Sequence, residues 1–191
     1  MFTKGPSQRI STVFFLLFIL LSIVSTTVSA QPNDIKFTHL TAANGLSQSS
    51  VRCILKDRFG FLWFGTRDGL NRYDGYKFKI YRRDPKNPGS LPSNHILNLY
   101  EDKAGVLWVG TITGGLSRYD RDSDSFVTYT HKSKDPASLS NPAVLSMLED
   151  SKGNFWAGTY SNLNLFNRKT GNAIRMNLSS QIGNASIFDI H

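Results

Sequence analysis

A single cysteine, Cys53, rules out an internal disulfide, so packing must hold this 191-residue chain together. Cys53 sits in an apolar strand pattern, where a buried, inert thiol is the ordinary reading. The four histidines, His39, His95, His131 and His191, show no metal-ligand spacing. There is no Gly-x-Ser-x-Gly elbow, no phosphate-binding loop and no dinucleotide fingerprint. Acidic residues are the minority, 14 against 22 Lys and Arg. Their one alternating run is Asp120, Asp122 and Asp124. An EF-hand would need Gly where Ser125 stands and Glu where His131 stands. The expectation is therefore a chain with no cofactor, no metal and no catalytic residue.

Long apolar runs are also scarce, and the one present is N-terminal. Lys4 and Arg9 precede Val13 to Val24, and Val28-Ser29-Ala30 supplies the small residues a signal peptidase reads. Twelve residues fall short of the roughly 20 that span a bilayer. Residues 1–30 are expected to be a signal peptide cleaved between Ala30 and Gln31. An uncleaved anchor starting near Ile10 is the competing reading. The chain would be extracytoplasmic or periplasmic. Its basic charge then points away from nucleic acid and towards acidic glycans or membrane surfaces, with a solvated outer face as the ordinary reading.

What the sequence has is a repeat. Asp57 to Asp74 reads DRFGFLWFGTRDGLNRYD, and returns from Asp102 as DKAGVLWVGTITGGLSRYD and from Asp150 as DSKGNFWAGTYSNLNLFN. Each copy has Asp, Gly three residues on, Trp three beyond that, then x-Gly-Thr. The shared positions are Asp57, Gly60, Trp63 and Gly65; Asp102, Gly105, Trp108 and Gly110; Asp150, Gly153, Trp156 and Gly158. The aspartate can accept a backbone N–H two residues later and so nucleate a turn. Gly60, Gly105 and Gly153 fit its last position, where positive φ is cheap. Gly65, Gly110 and Gly158 lie inside strands, which marks a bulge or a close backbone approach.

Around these turns the chain divides as follows. Residues 31–50 form a lead-in, with a short strand at Ile35 to Leu40 and a turn at Asn44-Gly45. Repeats one, two and three span 51–93, 94–142 and 143–185. Residues 186–191 match the opening strand of a fourth repeat. Matching connectors, each with Asp-Pro, run from Arg83 to Asn94 and from His131 to Asn141. A period of 45 to 48 residues with about four strands per unit implies an all-β fold. Its units would be β-propeller blades of four antiparallel strands, about three of them present. The repeated Trp63 and Trp108 should be buried between blades, with Trp156 more exposed.

The motif Asp-x-x-Gly-x-Leu-Trp-x-Gly-Thr, followed by Gly-Leu and Arg-Tyr-Asp, resembles the two-component regulator propeller repeat. Phe37-x-x-Leu40 and Asn44-Gly45-Leu46-Ser47 resemble the start of that family's sensor region. The resemblance covers about Phe37 to His191, and repeat three departs from it at Phe155, Ala157 and Phe166-Asn167. It implies the periplasmic input region of a hybrid histidine kinase, seven-bladed in the intact parent, with kinase domains downstream as partners. It also implies a small-molecule or oligosaccharide ligand. On this reading the chain is an incomplete propeller with marginal stability, open to self-association through its uncovered blade faces. Two alternatives are a secreted propeller carbohydrate-active enzyme (lyase or glycosidase) and a nonfunctional gene fragment. A glycosidase would need two opposed carboxylates, and none is visible.

In a propeller, the loops between second and third strands share one face with the connectors. The repeats agree through Gly-Thr and then diverge, which points to that face for recognition. The candidate ligand-binding residues are Arg67, Asp68, Arg83, Asn94, Thr113, Tyr160 and Asn162. Arg67 could pair with a carboxylate or sugar hydroxyls, and Tyr160 could stack on a sugar ring.

Overall fold

The computed structural model describes residues 37–176 and 186–191. The expected signal peptide, its Ala30–Gln31 junction, and Ile35 and Lys36 of the lead-in lie outside the described residues. Among them, twelve strands form three separate four-stranded antiparallel sheets, each in simple up-and-down order. Sheet one is β1 (Val51–Lys56), β2 (Leu62–Thr66), β3 (Gly69–Tyr73) and β4 (Phe78–Tyr81). Sheet two is β5 (Ile96–Glu101), β6 (Leu107–Thr111), β7 (Leu116–Asp120) and β8 (Ser125–Tyr129). Sheet three is β9 (Val144–Glu149), β10 (Phe155–Thr159), β11 (Leu163–Phe166) and β12 (Ala173–Met176). The first strands pack against one another, β1 on β5 and β5 on β9, so they line the centre and the fourth strands lie outside. The architecture is that of consecutive propeller blades.

The repeated motif builds the turn between first and second strands. Asp57 Oδ1 accepts the backbone N–H groups of Phe59 and Phe61, both at 3.0 Å, while Oδ2 accepts the Trp63 indole N–H at 2.9 Å. Asp102 holds Trp108 at 2.9 Å and Asp150 holds Trp156 at 3.1 Å in the same way. One carboxylate thus closes the turn and satisfies the only polar atom of a large core side chain. The turn glycines take φ of 90°, 87° and 82° at Gly60, Gly105 and Gly153.

The strand glycines admit the next blade. A Cβ on Gly65 would overlap Cys53 Sγ and Ile96 Cγ2, and one on Gly110 would meet the Val144 carbonyl. The register slips opposite each, between Val51 and Cys53, between Ile96 and Asn98, and at Gly158–Thr159. Both sequence readings, bulge and close approach, describe one device.

Two apolar cores fill the two seams. Trp63, at 0% exposure, packs with Leu70 and Tyr81 of its own blade and with Ile96, Leu107 and Tyr119 of the next. Trp108, at 1%, packs with Phe155, Phe166 and Ala173 of blade three. Trp156 is only half-buried. The same asymmetry marks the first strands. β1 alternates between half-buried and exposed, whereas β9 is buried at five of six positions. A strand covered on one side alternates, and one covered on both does not.

The lead-in departs from expectation. Phe37 to Leu40 form no strand, and a short 3-10 turn, Ala42–Asn44, follows. An extended segment becomes a strand only by pairing with an edge, and none of these four residues pairs among the described residues. Ser186 to His191 carry no strand assignment either. Ile187 nevertheless bonds to Thr159 and Ser146, and meets Gly158 as Ile96 meets Gly65.

Candidate functional site: the connector face

Strand pairing divides the ends of every blade into two faces. Val51 pairs with Thr66 and Thr66 with Gly69, while Leu70 pairs with Tyr81. The start of the first strand, the loop between the second and third, and the exit to the next blade therefore share one face. The opposite face carries the Asp57, Asp102 and Asp150 turns. Those carboxylates are occupied by indole N–H groups, which fits structural work rather than catalysis. Among the described residues no group of His, Cys, Asp or Glu could hold a metal.

Five of the candidate ligand-binding residues gather at the corner between blades one and two. The Gly69 N–H donates to the Asn94 carbonyl at 2.8 Å, which sets the Arg67-Asp68 loop beside the connector. Asn94 Oδ1 accepts the Arg83 backbone N–H at 2.6 Å, so this amide holds the connector's ends together. Asp68 is engaged by Arg82 at 2.8 Å. Thr113 Oγ1 donates to Ser93 Oγ at 3.1 Å, tying the second blade's loop to the same connector. Arg67 is exposed, and only its backbone N–H is bonded, to Gln48 at 3.2 Å.

Tyr160 and Asn162 lie apart from these, on the loop of blade three. Tyr160 is 43% exposed, its ring edge-on to Phe188 with centroids 6.1 Å apart. The Asn162 carbonyl accepts from Thr159 Oγ1 at 2.8 Å, which closes the loop. Ser161, beside them, receives a bond from Asn141 of the connector at 2.9 Å.

Sequence reasoning passed over several residues that the structure brings forward. Arg121 reaches back to Asp57 at 3.0 Å, and Arg168 to Asp102 at 2.9 Å. Each arginine comes from the outer turn of the following blade. Buried Asn71 and Asn164 bind the segment that enters their blade, Asn71 the lead-in and Asn164 the connector: each accepts a backbone N–H, from Ser47 at 2.8 Å and from Ser140 at 2.9 Å. In blade two that position holds Pro92, which has no N–H to offer, and Ser117 replaces the asparagine. His95 also went unmarked. Its Nε2 is buried with no hydrogen-bond partner, alone in this among side chains of the described residues. Burial first, and then the charges of Arg67 and Arg52, hold the imidazole below its usual pKa. Aligning the repeats position by position would have picked out both His95 and the arginines.

The comparisons with known proteins agree with this geometry. The family profile described as Two component regulator propeller matches residues 45–68, 90–113 and 138–161, one segment per blade. Over 73 residues, 38% of the chain, the sequence is 48% identical to Histidine kinase P4 of Formosa agariphila, of which that stretch is 5%. The extracellular domain assigned to a hybrid two component system of B. thetaiotaomicron superposes with a TM-score of 0.69 at 30% identity. That match covers 75% of this chain and 20% of the domain. A second extracellular domain from B. thetaiotaomicron, assigned to a one component system, shares the fold at TM-score 0.57 and 22% identity. It is covered over 80% of this chain and 18% of its own. The chain thus spans a fifth or less of each of these relatives.

Proposed function

We propose that this chain, built of two-component regulator propeller repeats, is part of the extracytoplasmic input region of a sensor, where its connector face recognises a ligand. The supporting observation is the likeness, over three quarters of the chain, to the extracellular domain of a hybrid two component system. The residues give the likeness a mechanism. Positions that build turns and seams repeat from blade to blade, whereas the loops between second and third strands diverge after Gly-Thr into Arg67-Asp68, Ile112-Thr113 and Tyr160-Ser161. A binding face meets a different part of its ligand at each blade and has no reason to repeat.

The ligand would be a small molecule or oligosaccharide, with Tyr160 offering an exposed ring for stacking and Arg67 a guanidinium unpaired among the described residues. Occupancy would favour one of two arrangements of the region and bias a kinase downstream. Removal of residues 1–30 would leave a mature protein starting at Gln31, and the intact mass of envelope material checks that start. The function is tested in the full-length parent by titrating oligosaccharides while following kinase output. The expected result is a saturable response that disappears when residues 39–191 are deleted. An undiminished response in the deletion would contradict the reading.

A further inference from the structure

Quasi-equivalent corners of the propeller provide their own control. At the corner between blades one and two, the bulged residue of the innermost strand is Arg52, the residue after Gly-Thr is Arg67, and the residue before the next first strand is His95. At the corner between blades two and three the same positions hold Leu97, Ile112 and Ala143, and at the edge of blade three Leu145, Tyr160 and Ser186. The fold therefore asks for no charge at any of them.

Geometry brings the three basic residues into one place. Val51 pairs with Thr66, a Cβ on Gly65 would touch Ile96, and Gly69 bonds the Asn94 carbonyl. The ends of β1, the β2–β3 loop and the start of β5 therefore meet within a few residues of Arg52, Arg67 and His95. Neither guanidinium forms a hydrogen bond or ion pair among the described residues. The only nearby carboxylate on the loop, Asp68, is already bridged to Arg82. His95 Nε2 completes the set as a buried, unpartnered atom.

We infer that Arg52, Arg67 and His95 form an oxyanion site at the inner end of the connector face, receiving a carboxylate, sulfate or phosphate group of the ligand. This rests on the sensor reading and names the chemistry of its site. A tetrahedral or planar oxyanion takes two N–H donors from a guanidinium in a fixed fork, and a second arginine and an imidazole N–H supply the remaining oxygens. Hydrogen bonds of this charged kind are the strong ones, so the site would set the orientation of a larger ligand.

The test follows the His95 imidazole resonances of the full chain in low-chloride buffer during titration with sulfate, phosphate, glucuronate and neutral glucose. At least one anion should shift His95 saturably while glucose does not. Glucuronate alone would assign a carboxylate, and sulfate or phosphate alone a tetrahedral group. Arg52→Leu with Arg67→Ile, residues the sister blades already carry, should weaken that binding about tenfold or more with unfolding unchanged. Should the pair disturb folding, Arg67→Ile alone serves. Silence of His95 towards every anion, an equal shift with glucose, or wild-type affinity in the variants would overturn the site. An anion-blind chain whose parent still responds to oligosaccharide would remove this corner and leave the sensor reading. Anion binding with no parental response would do the reverse.

Discussion

The two seams use one latch and two fillings. In both, an arginine of the following blade reaches the aspartate that holds the tryptophan, and a glutamate ending the following first strand receives the backbone N–H after that aspartate. The pairs are Arg121–Asp57 and Arg168–Asp102, with Glu101 accepting from Arg58 and Glu149 from Lys103. Beyond the latch they differ. In the first seam the Tyr81 hydroxyl donates to Asp124 at 2.7 Å, and Tyr119 and Lys79 bond the same carboxylate. In the second, Phe166 stands where Tyr119 does and packs on Tyr129 at 5.0 Å, with no hydroxyl to satisfy. The outer turns follow suit. Asp124 takes φ of 51°, unusual for a residue with a side chain, and its counterpart Gly171 takes 78° under the Tyr129 ring. Replacing a phenylalanine by a tyrosine at a seam calls for an acceptor, and here the acceptor is placed at the cost of a left-handed backbone. The latch is what every blade needs, and the filling is free to vary.

The largest expected effect removes the part both seams share. Trp108→Ala should cost about 3–5 kcal/mol in thermal or denaturant unfolding, and Trp63→Ala a similar amount, because each empties a buried core position. Trp156→Ala should cost clearly less, since its far side is uncovered. Next comes the latch. Arg168→Ala should cost about 1–3 kcal/mol, because it leaves Asp102 and Glu149 buried without their cation. Arg121→Ala should cost less, as Asp57 is its one carboxylate partner and the Phe59 and Tyr119 rings add only cation–π contacts. Equal costs would break the view that the second seam leans harder on its arginine.

Acid should then separate the fillings. Burial pushes the Asp124 carboxyl up, but hydrogen bonds from Lys79, Tyr119 and Tyr81 and the charge of Lys79 outweigh it, and the group settles at about 2. An unfolded aspartate titrates near about 3.9. Its contribution is therefore complete above about pH 4 and is lost as the pH falls through about 2. Asp124→Gly should flatten that part of the stability–pH curve while relieving the strained turn, so its net cost near neutral pH should be small, about 1 kcal/mol. The least perturbing probe is Cys53. Burial pushes its thiol up to about 12, so alkylation at pH 8 should be slow and should accelerate in Trp63→Ala far more than in Trp108→Ala. Equal acceleration would mean the seams do not open separately.

Most of the scaffold was legible in sequence because one physical requirement recurs three times. An aspartate that closes a turn and caps an indole leaves the same spacing in each copy. The latch arginines were not legible from that spacing. Arg121 and Arg168 act on the blade before their own, 64 and 66 residues away in sequence from the aspartates they serve. Nor was the polar core behind these loops, since Asn71 ties down Ser47 whereas Ser117, at the same place in blade two, bonds Thr128 of its own blade instead. Of the proposed recognition face, Arg67 and Tyr160 stood out by failing to repeat. Asp68 and Asn94 proved to be engaged in holding the loops, while His95 was passed over because metal spacing, rather than its blade-equivalents, was the standard applied to it.

We propose that recognition lives on the face that does not repeat, while the repeated turns hold neighbouring blades together. The most direct test is ligand affinity in the full-length parent carrying Arg67→Ala with Tyr160→Ala, read beside its unfolding curve. Unfolding like the wild type and an affinity loss of about tenfold or more are expected. Unchanged affinity in that variant, together with lost binding and intact folding when the opposite face is altered at the Asp57–Gly60 turn, would contradict this.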